Sequence, residues 1–261
     1  MNQDIGYYDA KALLEWHVEL GVDEAISEAP INRYELPKVA PKPKVAEKPV
    51  TVPGIAVATP VIDGVAVAKA KAQVDTLEAL QNALAGFEHC ELKRGARNTV
   101  FADGNPDARV MIIGEAPGRD EDIQGKPFVG RAGQLLDRML DAIGMARAHA
   151  DATQSVYITN ILPWRPPQNR DPKPDEIAMM VPFVQRHIEL VDPQVIVLMG
   201  NISCQAMLGL KGITRLRGNW KEVAGKPALP MFHPAYLLRN PHAKREAWRD
   251  LLSLQAKLRS L

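Results

Sequence analysis

Three stretches of the chain concentrate the residue types that bind ligands and break bonds. The first is GEAPGRDEDIQGKPFVG, from Gly114 to Gly130. Gly114 and Gly118 permit tight turns and Pro117 stiffens them, so backbone N–H groups here can hold an anion or a carbonyl oxygen. The acids Glu115, Asp120, Glu121 and Asp122 crowd the same stretch. A phosphate-binding P-loop is excluded. Six residues rather than four separate Gly118 from Gly125, and Pro127 follows Lys126 where Ser or Thr would stand. Phe128 lies among glycines and prolines, where stacking on a planar ligand competes with a place in the core. The second stretch is TNILPWRPPQNR, Thr159 to Arg170. Asn160 can donate and accept at once, which suits the edge of a nucleobase, although an Asn at a strand end also caps backbone groups. Asn169 and Arg170 follow a turn at Pro166 and Pro167. The third is FHPAYLLRNP, Phe232 to Pro241. His233, restrained by Pro234, is either a structural hydrogen-bonder or a donor in the chemistry. Leu237 and Leu238, ringed by Arg239, His242, Lys244 and Arg245, either wedge between stacked bases or begin a core helix.

The hydropathy pattern supplies elements that can position these loops. Strands are expected at Arg109–Gly114, Ser155–Ile161, Gln194–Met199 and about Leu229–Phe232, apolar through their middles as buried parallel strands are. Helices are expected at about Val74–Ala85, Ala132–Ile143, from Pro174 with a kink or break at Pro182, and over Ala243–Arg259. Alternating strands and helices imply a three-layer α/β/α fold around a central four-stranded parallel sheet. In such sheets ligands lie beyond the carboxyl ends of the strands, which selects the loops starting at Glu115, Asn160, Gly200 and His233.

Length and charge set the remaining bounds. The 261 residues hold one sizeable domain, expected over 70–261, plus additional material. Residues 1–36 read as an acidic helical arm, with eight acids against Lys11 and Arg33. Residues 37–69 read as a linker rich in Pro, Lys, Val and Ala, with prolines at 37, 41, 43, 49, 53 and 60. Residues 211–261 carry eleven Lys or Arg against three acids, which suits a polyanion partner or a solvated helix face. No apolar run is long enough to span a bilayer and no signal peptide is read at the N-terminus, so a cytoplasmic protein is expected. The two cysteines, Cys90 and Cys204, argue against a disulfide framework.

Taken together, the three stretches resemble the family 4 uracil-DNA glycosylases, in family order and at family spacing. The resemblance runs from about Phe87 to the C-terminal helix. It implies an enzyme of base excision repair, associated with the bacterial nucleoid, that flips uracil out of DNA and hydrolyses its N-glycosidic bond. By position, Asn160 would read the Watson–Crick edge of uracil and Phe128 would stack on the ring. The backbone around Gly114, Glu115, Ala116 and Gly118 would meet the base, and His233 would donate to O2 of the departing uracil. Glu121 and Asn169 match family positions tied to activity. Tyr236, Leu237, Leu238 and Arg239 would enter the duplex. Ala116 stands where the best-known branch of the superfamily has Asp, which leaves water activation open between Glu121 and a route through Asn169. Gly118 stands where that branch has a blocking Tyr, which leaves Glu121 to exclude thymine.

The family holds a [4Fe–4S] cluster on four cysteines, and the corresponding positions here are Phe87, Cys90, Trp164 and Met180. A cluster needs its thiolates. The expectation is therefore a protein with no cofactor and no metal, in which Phe87, Trp164 and Met180 form an apolar plug beside a relic Cys90. A monomer acting on uracil-containing DNA is expected, with the N-terminal arm free for a protein partner. The rival reading is a non-catalytic or product-binding module for damaged or abasic DNA. The joint presence of His233, Asn160 and Asn169 speaks against it, because a pure binder needs no leaving-group donor.

Overall fold

Val110–Gly114, Val156–Asn160 and Val195–Met199 are buried along their whole length, as strands covered on both faces must be. In the computed structural model, which describes residues 64–261, they are strands β2, β3 and β4. The remaining strands are β1 (Ala102–Gly104), β5 (Lys221–Val223) and β6 (Lys226–Met231). The sheet order is β1-β3-β2-β4-β6-β5. The sheet thus has six strands rather than the expected four. The four parallel strands form its centre, and β1 and β5 pair antiparallel on the two edges. Each edge strand is three residues long and carries no apolar alternation, so its partner rather than its sequence defines it.

The helices are α1 (Gly64–Lys71), α2 (Leu77–Ala85), α3 (Arg119–Gln124), α4 (Arg131–Asp141), α5 (Pro174–Val191), α6 (Asn201–Leu208), α7 (Ile213–Leu216), α8 (Pro234–Arg239) and α9 (Lys244–Arg259). The twofold alternation of the strands sorts the apolar side chains into two cores. Met111, Ile113, Ile196 and Leu198 meet Leu80 and Leu84 of α2 and Met180 and Phe183 of α5. Val110, Ile112, Val197 and Met231 meet Leu136 and Leu140 of α4 and Leu251 and Leu254 of α9. Each large side chain so buried contributes about 1.5–3 kcal/mol. Helix α5 runs unbroken through Pro182, because Met180 and Val184 tie its two halves to one core. Residues 64–69, expected in the linker, belong to helix α1 of the folded unit; the arm at 1–36 and the linker up to residue 63 lie outside the described residues.

The chain leaves β2 for β3 on one side, then crosses to β4 on the other, so the crevice at the carboxyl end of β2 is a switch point of the topology. Gly114 and Asn160 are paired across β2 and β3 at that end. The ladder continues past them, with Ile161 N–H donating to Gly114 O and Leu162 N–H to Glu115 O, both at 3.0 Å. The loop after β3 is tied down by Glu176. This buried carboxylate accepts from Lys173 N–H at 2.8 Å and from both terminal nitrogens of Arg170 at 2.9 and 2.6 Å. The Arg170 bonds hold the Glu176 carboxyl below its ordinary value. A depressed carboxyl stabilises the fold above its unfolded pKa and loses that effect as pH falls through the folded value. Glu176→Gln is therefore expected to cost about 2–3 kcal/mol at pH 7. The gap to the unsubstituted protein should close as the pH falls below about 4.5. Urea unfolding at pH 7 and pH 3.5 checks both statements, and a gap that stays constant with pH would contradict the assignment.

Candidate active site

A cavity of about 410 Å³ opens at the carboxyl ends of β2, β3 and β6, and all three motif loops line it. One wall is Phe128, buried and held at φ +53°, a backbone conformation unusual for an aromatic residue. Its ring lies over the His233 ring, with centroids 5.4 Å apart and planes inclined at 27°. Two glycines make this placement possible. A Cβ on Gly114 would lie 2.5 Å from the Phe128 ring and 2.3 Å from Asn160 Oδ1. A Cβ on Gly133 would lie 1.8 Å from the Phe128 carbonyl oxygen. Gly114 is thus the floor under the two side chains that define the cavity.

Asn160 is 5% exposed, and its Oδ1 is the one buried side-chain polar atom among the described residues without a hydrogen-bond partner. An unpaired buried acceptor costs about 1–3 kcal/mol, which a ligand N–H would offset. His233 caps α8 by accepting from Ala235 N–H through Nδ1 at 3.2 Å. Nδ1 therefore carries no proton, and the neutral ring bears its hydrogen on Nε2. Burial, aided by the charge of Arg239, pulls the His233 pKa down to about 4, so the ring is neutral at physiological pH. The cavity thus has a neutral N–H donor beside an unsatisfied amide acceptor.

The acids of the first loop divide their work. Glu121, read from sequence as catalytic, lines the cavity but spends its carboxylate on the backbone. Oε2 accepts from Gly118 N–H at 3.1 Å, while Oε1 accepts from Val129 and Gly130 N–H at 3.0 and 2.9 Å. It clamps the two ends of the loop together and caps α3. Glu115 is different. It lines the cavity, and burial, reinforced by the charge of Asp171, pushes its carboxyl up to about 6. Ala116, Pro117 and Gly118 complete that side of the lining.

The mouth holds the remaining candidates. Asn169 lines the cavity, exposed at φ +54°, and its Oδ1 accepts from Arg165 Nε at 2.8 Å. Tyr236 and Arg239 line the rim, and Leu238 is half-buried. Leu237 requires a correction. It is 1% exposed in the core beneath α8, so of the two expected readings the core helix holds and a wedge into DNA does not. Reading by sequence credited Glu115 with its backbone alone and passed over Asp171 and Arg165. Their roles come from burial and from partners brought by the fold, for which the local sequence carries no signal.

The family model described as "Uracil DNA glycosylase superfamily" matches residues 101–252. The chain is 37% identical to the type-4 uracil-DNA glycosylase of Archaeoglobus fulgidus over 68% of this chain and 90% of that protein. It is 42% identical to the type-4 enzyme of Thermotoga maritima over 58% of this chain and 77% of that one. With the type-4 enzyme of Saccharolobus solfataricus it shares 36% over 72% and 88%. This chain belongs to the type-4 family of the uracil-DNA glycosylase superfamily. No helix among the described residues is long and apolar enough to cross a membrane.

Membership corrects one expectation. Type-4 glycosylases are the family known to carry a [4Fe–4S] cluster, so a member without a cofactor is not what the relatives support. The residues at the four matching positions do not fit the group as cysteine ligands. Phe87, Trp164 and Met180 offer no thiolate, and all three are buried with Cys90 in one core. Burial pushes the Cys90 thiol up, toward its neutral form. No cluster of three or more His, Cys, Asp or Glu suited to a metal occurs among the described residues.

The elevated Glu115 pKa has a thermodynamic consequence. A carboxyl raised in the folded state favours folding at low pH and opposes it as pH rises through the folded value. Glu115→Gln is therefore expected to leave stability unchanged near pH 4.5. Above about pH 6 it should raise stability by at most about 2 kcal/mol. Thermal unfolding at pH 4.5 and pH 8 checks the sign; a destabilised variant at pH 8 would contradict it.

Proposed function

We propose that this protein receives a flipped uracil nucleotide from DNA, hydrolyses its N-glycosidic bond and leaves an abasic site. The observation that carries this reading is the Asn160 amide, whose buried Oδ1 lacks a partner in the cavity wall. Uracil offers N3–H to that acceptor and O4 to the Nδ2 donor of the same amide, which fits the Watson–Crick edge of the base. Phe128 supplies the stacking surface, and the backbone N–H groups of Glu115 and Ala116 meet the uracil carbonyls. The naming of the relatives as type-4 uracil-DNA glycosylases supports the same substrate.

Breaking the C1′–N1 bond leaves the electron pair on uracil, with charge on O2, and cation character at C1′. His233 donates from Nε2–H to O2 as a neutral imidazole. One such preorganised donor is worth about 3–4 kcal/mol. Water adds to C1′ and gives its proton to the Glu115 carboxylate, which is ionised above about pH 6. Glu121, with three backbone donors already bound, positions the loop rather than activating the water. The free amide hydrogens of Asn169 hold the attacking water or the sugar at the mouth. Tyr236, Leu238 and Arg239 contact DNA beside the extruded nucleotide, and the basic C-terminal portion adds general attraction for phosphate. We assign the activity to the unit that contains residues 64–261, acting as a monomer on cytoplasmic, nucleoid DNA. Residues 1–36 serve as the arm for a protein partner.

A uracil-containing oligonucleotide is expected to lose free uracil and stay unbroken until treated with alkali; an intact base across varied salt and pH rejects the reading. His233→Ala is expected to lower the single-turnover rate by about 10²–10³ with a modest effect on DNA binding. A protein that only binds damaged DNA would show the binding effect alone. The rate should fall as the pH drops below about 6, and Glu115→Gln should flatten that limb and lower the rate at pH 8.

A further inference from the structure

Arg147 lies in the segment between α4 and β3, outside the three loops that line the cavity. Its side chain is 16% exposed, and its guanidinium donates four hydrogen bonds, with Nη2 also within ion-pair distance of Asp137. Nε and Nη2 meet Asp137 Oδ1 at 2.9 and 2.8 Å. Nη1 donates to Asp103 Oδ2 and to the Pro127 carbonyl, each at 3.0 Å, and Nη2 donates to the Phe128 carbonyl at 2.8 Å. One planar group thus joins edge strand β1, helix α4 and the backbone of the aromatic wall. Burial alone would raise the Asp103 carboxyl, but hydrogen bonds from Arg147 and Lys126 hold it below its ordinary value, so the anion stays charged opposite the guanidinium.

The Phe128 backbone needs such a restraint. A bulky residue at positive φ persists only where its surroundings over-determine it. Gly133 makes room for the Phe128 carbonyl, and Gly114 makes room for the ring, but neither holds the peptide in place. The only side-chain donor to the Pro127 and Phe128 carbonyls among the described residues is Arg147.

We propose that Arg147 is a positioning residue for base excision: by binding the carbonyls of Pro127 and Phe128, it holds the Phe128 ring as the stacking wall of the base site. The role rests on the reading that this cavity takes a flipped uracil. Arg147 acts through Phe128 and touches no substrate. A lysine cannot replace it, because one ammonium cannot span two carbonyls and two carboxylates on three sides.

The test uses the full chain with Arg147→Met, Arg147→Lys, Phe128→Ala and the double variant Phe128→Ala with Arg147→Met. Arg186→Met is the control, because Arg186 makes a comparable bridge to Val74 O, Asp75 and Glu189 away from the cavity. Single-turnover release of uracil and amide hydrogen exchange over residues 126–131 are measured for each. Arg147→Met is expected to slow uracil release about 10- to 100-fold, the scale of a small misplacement in a site, with little change in the KM for DNA. Arg147→Lys should recover only part of this. In the Phe128→Ala background the same change should cost less than about twofold, because both substitutions remove one wall. Exchange at 128–130 should quicken in Arg147→Met and stay as it was in Arg186→Met. Multiplying effects in the double variant, or unchanged exchange, would overturn the proposal. Should the unsubstituted protein release no uracil, the excision reading fails by itself, and the exchange data still decide the clamp. Should Arg147→Met not fold, Asp137→Asn, which removes the negative charge of one partner at a half-exposed position, takes its place with the same readouts at smaller size.

Discussion

The pairing of Gly114 with Asn160 across the ends of β2 and β3 is the constraint on which the rest of the site depends. At this point the sheet stops and two side chains from different loops converge over a residue with none. A methyl group on Gly114 would overlap both the Asn160 amide and the Phe128 ring. The amide could then no longer reach the cavity edge, and the aromatic wall would be forced outward. Everything else in the cavity is arranged around that contact: His233 lies against the Phe128 ring, and Glu115 follows Gly114 directly.

Desolvation then divides the labour among the polar groups. The same burial that drives the His233 pKa down to about 4 drives the Glu115 carboxyl up to about 6. One group becomes a neutral donor and the other a base that is weakly held in its charged form, and the two opposite shifts have one cause. Other charges in the region serve the backbone. Glu121, Glu176 and Arg147 are each bound to main-chain atoms of the loops that carry the cavity. Long loops without regular structure acquire fixed shapes in this way, and charge-assisted bonds to the main chain do so more strongly than neutral ones.

Phe87, Cys90, Trp164 and Met180 lie in one continuous apolar core with the side chains of α2 and α5. The loop after β3, which leads from Trp164 to Asn169, is held below by that core and at its far end by the Arg170–Glu176 pair.

Sequence alone pointed to the four central parallel strands, helices α2, α4, α5 and α9 and the three loops at the carboxyl ends of the strands, while α3, α6 and α7 appear only in the fold. Apolar runs, a proline at a helix start and glycines at turns are local features, and local physics reads them. The resemblance of the three motifs to type-4 glycosylases placed Asn160, Phe128 and His233 together before any coordinates. Tertiary structure alone decided what depends on neighbours distant in sequence. It added the two edge strands, whose three residues carry no pattern of their own. It withdrew Leu237 from the surface because α8 packs that side inward, and it brought three backbone amides to the Glu121 carboxylate, which joins the two ends of its loop. It gave Glu115 a perturbed carboxyl through burial, and it brought Arg147 to the Phe128 loop from 19 residues away. Burial, hydrogen-bond partners and pKa are properties of an assembled environment, and no window of sequence contains that environment.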